Sequence, residues 1–292
     1  MKIKKRYKIA VFGLAIILSS LFPLSVFGFE PWSNVDGKWI AADGKSVIEG
    51  ALKKGVTITK YQNRSGNIDW NQLIKENISF VMVRLGYYHD LDPYFKSNMS
   101  GAQEAKLDTG VCFYGKAIDV EGAKQEARYV LEIVKDYRIS YPIAYDVESE
   151  DLLEKGLTKA QITEQVGAFC KVIEDAGYKA MIFGEHEWLT QHLDMKKLDY
   201  DVWYSRYGIT NNFDNRTLWR CTDQGSVKGI EGNVCLEFAF EDYEKSFPAD
   251  GWRVINGKRY YFKNHWLAKD IALQIEGVVY FFDKEGNLKL TN

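Results

Sequence analysis

The sequence predicts an α/β fold, an irregular (β/α)8 TIM-like barrel followed by a short tail of β-hairpin repeats, on three observations. Short apolar runs alternate with segments of helical period across residues 51–247, and that alternation is the mark of a parallel sheet covered by helices. Eight such runs can be placed, at residues 56–59, 80–86, 110–115, 142–148, 179–183, 201–205, 218–221 and 234–238, and eight is the number at which a parallel sheet closes on itself. Beyond Pro248 the rhythm changes to aromatic hairpins twenty positions apart, a small repeat array rather than a compact domain. The last three runs are too closely spaced for full helices between them, so the barrel is expected to be distorted.

Taken in order, the chain begins with an address. Lys2, Lys4, Lys5, Arg6 and Lys8 precede an apolar run over 9–22, and Pro23 and Val26-Phe27-Gly28 follow it. This is the pattern of an export signal over residues 1–28, with an uncleaved N-terminal anchor as the alternative and the only expected contact with a membrane. Residues 29–50 form a polar linker. Its Trp32-to-Gly37 spacing repeats that of Trp252 to Gly257, which makes it a candidate degenerate repeat.

Within the barrel segment, 51–247, the clearest helices are predicted over 121–137 and 159–176. The first places Ala127, Val130, Leu131 and Val134 on one face, and the second Ile162, Val166, Phe169 and Ile173. Thr158 with Gln161 forms a capping-box pattern at the second helix, and Gly177 ends it. In the tail, 248–292, the Asn256-Gly257 and Glu276-Gly277 turns flanked by aromatics read as hairpins.

The chemistry is carried by the fourth run, which ends in Asp146 and Glu148. Residues two apart on a strand face the same side, so the carboxyls are expected together. Two neighbouring carboxyls cannot both ionise at their usual values, and one becomes an acid held protonated near neutral pH. At the C-terminal end of a barrel strand, such a pair faces the ligand. Tyr61, Arg84, Tyr114, Tyr145, Tyr204 and Tyr207 fall near other strand ends and, with Thr57, are the candidate substrate-binding residues. Tyrosine and tryptophan stack on sugar rings, and aromatics make up 14% of the chain.

Other classes are disfavoured. A formal charge of -2 offers no signature for nucleic acid. His89, His186, His192 and His265 are scattered and no Cys-x-x-Cys occurs, so neither a metal nor another cofactor is expected. Cys112 and Cys170 sit in apolar patterns. Cys221 and Cys235, in successive runs, are the candidate disulfide of an exported chain.

Several motifs in order over residues 54–243 resemble the family 25 glycoside hydrolases, lysozymes that cleave bacterial cell-wall glycan. They are Lys60-Tyr61-Gln62 with Gly66 to Trp70, the run around Arg84, Asp92-Pro93-Tyr94-Phe95 with Asn98, residues 141–148, residues 203–207, and residues 222–234 with Gly229, Ile230 and Gly232. The resemblance implies an N-acetylmuramidase acting on peptidoglycan glycan strands, with Glu148 as the acid and Asp146 as the carboxylate that supports the substrate's acetamido group. It also implies a secreted, wall-associated protein of a Gram-positive bacterium. The tail resembles cell-wall-binding repeats, implying choline or another wall polymer as its ligand. The chain departs from the family at Thr57 and Cys235, where members usually carry Asp, and at Arg220-Cys221, where a Gln-Tyr pair is usual. These departures motivate the alternative of a non-catalytic wall-binding protein on a hydrolase scaffold.

Overall fold

A computed structural model describes residues 32–289 apart from 42–43, 65, 209–212 and 214; the expected export signal lies outside the described residues. Eight strands form a closed barrel: β1 (Lys53–Ile58), β2 (Ile78–Tyr87), β3 (Asp108–Tyr114), β4 (Ile143–Asp146), β5 (Ala180–Glu185), β6 (Asp201–Ser205), β7 (Arg216–Gly225) and β8 (Val234–Ala239). Neighbours pair in sequence order, and β1 pairs with both β2 and β8 to complete the ring.

The pairing is parallel from β1 through β7, but β8 runs antiparallel to both its neighbours. This departs from a wholly parallel reading. The link between β7 and β8 is too short for a crossover helix, so the chain must turn back as a hairpin.

Two apolar layers follow from strand alternation. The barrel interior is filled by side chains that include Phe80, Met82, Tyr141, Met181, Phe183 and Trp203, with Phe80 stacked on Tyr141 at 4.5 Å between ring centres. Outward residues such as Val83, Phe113, Tyr145 and Ile182 meet the helices. The principal covers are α1 (Val120–Val134) and α2 (Lys159–Asp175). Both bury the faces expected from their period, including Val130, Leu131, Val166 and Phe169. In α2 the Thr158 side chain accepts from the Gln161 backbone N–H while the Gln161 side chain accepts from Thr158, so both orphan donors are satisfied.

The polar lead is not a bare linker. Ser33–Val35 and Lys38–Ile40 form a hairpin turning at Asp36-Gly37, and Trp32 and Trp39 lie edge-on against Phe238 of the barrel wall. The tail forms two small three-stranded sheets. Ile255, Tyr260 and Phe262 of the first sheet join the outer apolar layer, and Arg253 lies over Tyr178 at 4.4 Å and over Phe262 at 4.3 Å.

Candidate active site

Asp146 ends β4, and Glu148 lies just beyond the strand. The Glu148 backbone N–H donates to Asp146 Oδ1 at 3.1 Å. An Asx-type turn therefore brings the two residues together, rather than continued strand alternation: Asp146 captures the N–H two residues on, which ends the ladder. Neighbouring strands fix the second carboxyl. The Glu185 backbone N–H, at the end of β5, donates to Glu148 Oε1, and the Tyr114 hydroxyl, at the end of β3, donates to the Glu148 carbonyl oxygen.

Burial pushes both carboxyls above their ordinary range. For Asp146 desolvation leads, opposed by the Glu148 N–H and by Arg220. For Glu148 desolvation is again the largest cause, and the neighbouring Asp146 charge adds to it. One proton is thus retained by the pair around neutral pH, as a general acid requires.

Glu148 opens onto a groove at the C-terminal ends of the strands, with Asp146 behind it. A cavity of about 400 Å³ is bounded by Glu148, Leu153, Glu185, Trp188 and His192. Glu185 and Glu187 also border a second hollow of about 320 Å³ with Tyr207. Across the mouth a third, of about 220 Å³, is lined by Tyr61, Arg84 and Tyr87. A larger hollow of about 650 Å³, among Lys179, Asp201 and Arg216, lies at the opposite end of the barrel, away from the carboxylates.

The other sequence-predicted residues divide. Tyr61 is exposed in the groove, with the Arg64 guanidinium 4.4 Å and the Arg84 guanidinium 5.3 Å from its ring. Arg84 pairs with the buried Asp92 at 3.2 Å. Tyr114 stacks on Tyr87 at 4.8 Å beside Glu148, and Tyr207 is half exposed on the rim.

Three candidates do not line the groove. Tyr145 points outward, stacks on Phe169 at 3.9 Å and donates to Glu126 Oε2 at 2.5 Å. Tyr204 is fully buried between Phe213 and His186. Both alternate with inward residues, so their rings belong to the helix layer. Thr57 faces inward but is buried, donating to Glu237 Oε1 at 2.6 Å.

Nor do Cys221 and Cys235 pair; all four cysteines are free. Strand alternation turns Cys221 outward, one position beyond the inward Arg220 and two beyond the outward Trp219. Its thiol packs in the outer layer, while Cys235 alternates inward with Glu237.

The residue missed by sequence reasoning is Glu237. It accepts from Thr57, from Trp203 Nε1 at 2.8 Å and from Arg220 Nε at 3.0 Å, and is fully buried in the barrel interior. Its signal was legible, because an acidic side chain two positions from Cys235 on a strand has to face the same interior. Among the described residues no cluster of ligating side chains could hold a metal ion.

A barrel with a buried, proton-sharing carboxylate pair at the C-terminal mouth defines a glycoside hydrolase in class. The sequence agrees: residues 56–230 match the model of Glycosyl hydrolases family 25, and the chain belongs to that family. Solved structures of similar fold include the modular autolysin LytC from Streptococcus pneumoniae (24% identity, TM-score 0.61, covering 71% of this chain and 52% of that one). Others are a family 25 glycosyl hydrolase from Bacillus anthracis (18%, 0.58, 68% and 94%) and the spore cortex lytic enzyme SleM from Clostridium perfringens (15%, 0.59, 82% and 95%). None of the curated protein sequences matches the chain.

Proposed function

We propose that the protein is an exported N-acetylmuramidase that cleaves the β-1,4 bond between N-acetylmuramic acid and N-acetylglucosamine in peptidoglycan. The observation that carries this reading is the buried Asp146–Glu148 pair at the groove, with Glu148 held protonated by burial and by its neighbour. In this scheme Glu148 gives its proton to the glycosidic oxygen as the bond breaks. The 2-acetamido oxygen of the muramic acid attacks the anomeric carbon while the Asp146 carboxylate supports the acetamido N–H. Glu148, now ionised, takes a proton from the water that opens the cyclic intermediate, giving a retained anomer.

Tyr61, Arg84, Tyr114 and Tyr207 are the groove residues proposed to contact the glycan. The autolysin LytC, similar in fold, has been solved with a synthetic peptidoglycan ligand, and the basic and apolar N-terminal run supports export to the wall.

For the tail a cationic wall group such as choline is the proposed ligand. Trp252 stands edge-on to Tyr261 and Tyr280 at 5.1 Å each, and the Arg259 guanidinium lies 4.0 Å from the Trp252 ring. A cation is therefore already accommodated on that face, as a quaternary ammonium would be.

Mass spectrometry of peptidoglycan incubated with the purified protein tests the reading: fragments ending in reducing N-acetylmuramic acid are expected, and none with Glu148→Gln. Release that persists in that variant overturns the assignment. The second reading, a wall-binding protein without turnover, is favoured by one observation, the replacement of two usual acids by Thr57 and Cys235. It expects retention on cell walls with no reducing ends released.

A further inference from the structure

The barrel interior also holds an ion pair, Arg220 with Glu237, that the proposed scheme leaves unused. Arg220 on β7 stands opposite Glu237 on β8. Its guanidinium donates to Glu237 through Nε at 3.0 Å and to Thr57 Oγ1 through Nη2 at 3.0 Å. The guanidinium carbon lies over the Phe183 ring at 4.6 Å and over the Trp203 ring at 4.7 Å from their centres. Phe183 is the β5 residue that pairs with Asp146, so the cation is fixed on the ring adjoining the inner carboxylate. Glu237 meets only donors, from Thr57, Trp203 and Arg220, which suits a carboxylate and holds the pair rigid.

We propose that Arg220 is a positioning residue for the catalytic proton: its fixed charge keeps Asp146 as the anion and leaves Glu148 as the acid, with Glu237 moderating how much of that charge Asp146 feels. Two carboxyls sharing one proton have two arrangements, and a nearby cation favours the one that puts the negative charge closer to it. Arg220 is the leading charged group acting on Asp146, ahead of Glu185 and Arg84. On Glu148 the charges of Asp146 and Glu185 raise the carboxyl and Arg220 opposes them. The remaining titratable neighbours of Asp146 on the flanking strands, Cys112 and Tyr114 on β3, have their ionisation pushed up by burial and stay neutral. This assignment rests on Glu148 being the acid, and it gives the departures at Thr57 and Arg220 one shared role.

The test follows the carboxyl carbons of Asp146 and Glu148 by NMR titration, beside the pH profile of reducing-end release, in the full chain and in Arg220→Gln, Glu237→Gln and the double variant. Loss of Arg220 is expected to raise both titration midpoints and both limbs of the profile by roughly half to one pH unit, and loss of Glu237 to lower them, since an opposite charge nearby shifts a carboxyl by about a unit or more. Should Arg220→Gln leave Glu237 unpaired and unfolded, the neutral double variant is expected to show a smaller upward shift. Midpoints unmoved in the folded double variant and in Glu237→Gln overturn the role of Arg220 and leave a purely structural ion pair. Midpoints that move as expected in a protein releasing no reducing ends support the proton placement and refute the hydrolase reading instead.

Discussion

Glu148, the proposed acid, shows how burying one ionisable side chain costs stability. Its carboxyl holds a proton that an exposed glutamate would lose, so between its ordinary range and its raised one the folded state binds more protons than the unfolded chain. The sign follows: stability from this group is present at low pH and is lost as pH rises through the raised value. Glu148→Gln, always neutral and nearly the same shape, is therefore expected to raise the melting temperature more at pH 8 than at pH 5 while abolishing turnover. Paired calorimetric scans check this, and an equal gain at both pH values would refute it. Asp146→Asn should leave the Glu148 N–H bonded but remove the anion, lowering reducing-end release by about two to four orders of magnitude, the range for loss of a positioned catalytic group.

At the scale of elements, α2 shows what local sequence dictates. Its reciprocal cap at Thr158 and Gln161 and its apolar face were both legible from spacing. Thr158→Ala should cost about 1 kcal/mol in urea unfolding with no change in wall clearance per folded molecule, because Thr158 bonds to Gln161 and lines no part of the groove. The strand bearing the carboxylates was less fully legible. Alternation placed Asp146 and Glu148 on one side, whereas the strand ends at Asp146 and a side-chain hydrogen bond supplies the proximity. Tyr145 and Tyr204 show the complementary error. Position near a strand end cannot distinguish the inner face from the outer one until the register of neighbouring strands is known.

For the whole molecule, the tail is structurally part of the barrel's cover as well as a proposed wall-binding element. Ile255, Tyr260 and Phe262 share the outer apolar layer, and Arg253 is sandwiched among Tyr178, Phe247 and Phe262. Truncation at Pro248 is expected to uncover Tyr178 and Phe247 and to lower the melting temperature, by about 2–4 °C for each kcal/mol lost, rather than to release an undisturbed barrel. Thermal scans of the truncated and full chains check this. Dithiothreitol, in contrast, should leave the melting temperature unchanged, since the four thiols are free; a drop would reveal a bridge.

The sequence by itself determined the eight-stranded order, the helical faces, the carboxylate pair at the end of the fourth strand and the hairpin tail, because these depend on short-range period, capping and turn chemistry that a linear pattern records. Tertiary structure alone decided that β8 runs antiparallel, that Cys221 and Cys235 face opposite sides, and that Thr57, Arg220 and Glu237 meet as one buried cluster. Those outcomes depend on strand register around a closed ring, which joins residues more than 160 positions apart and leaves no periodic trace along the chain.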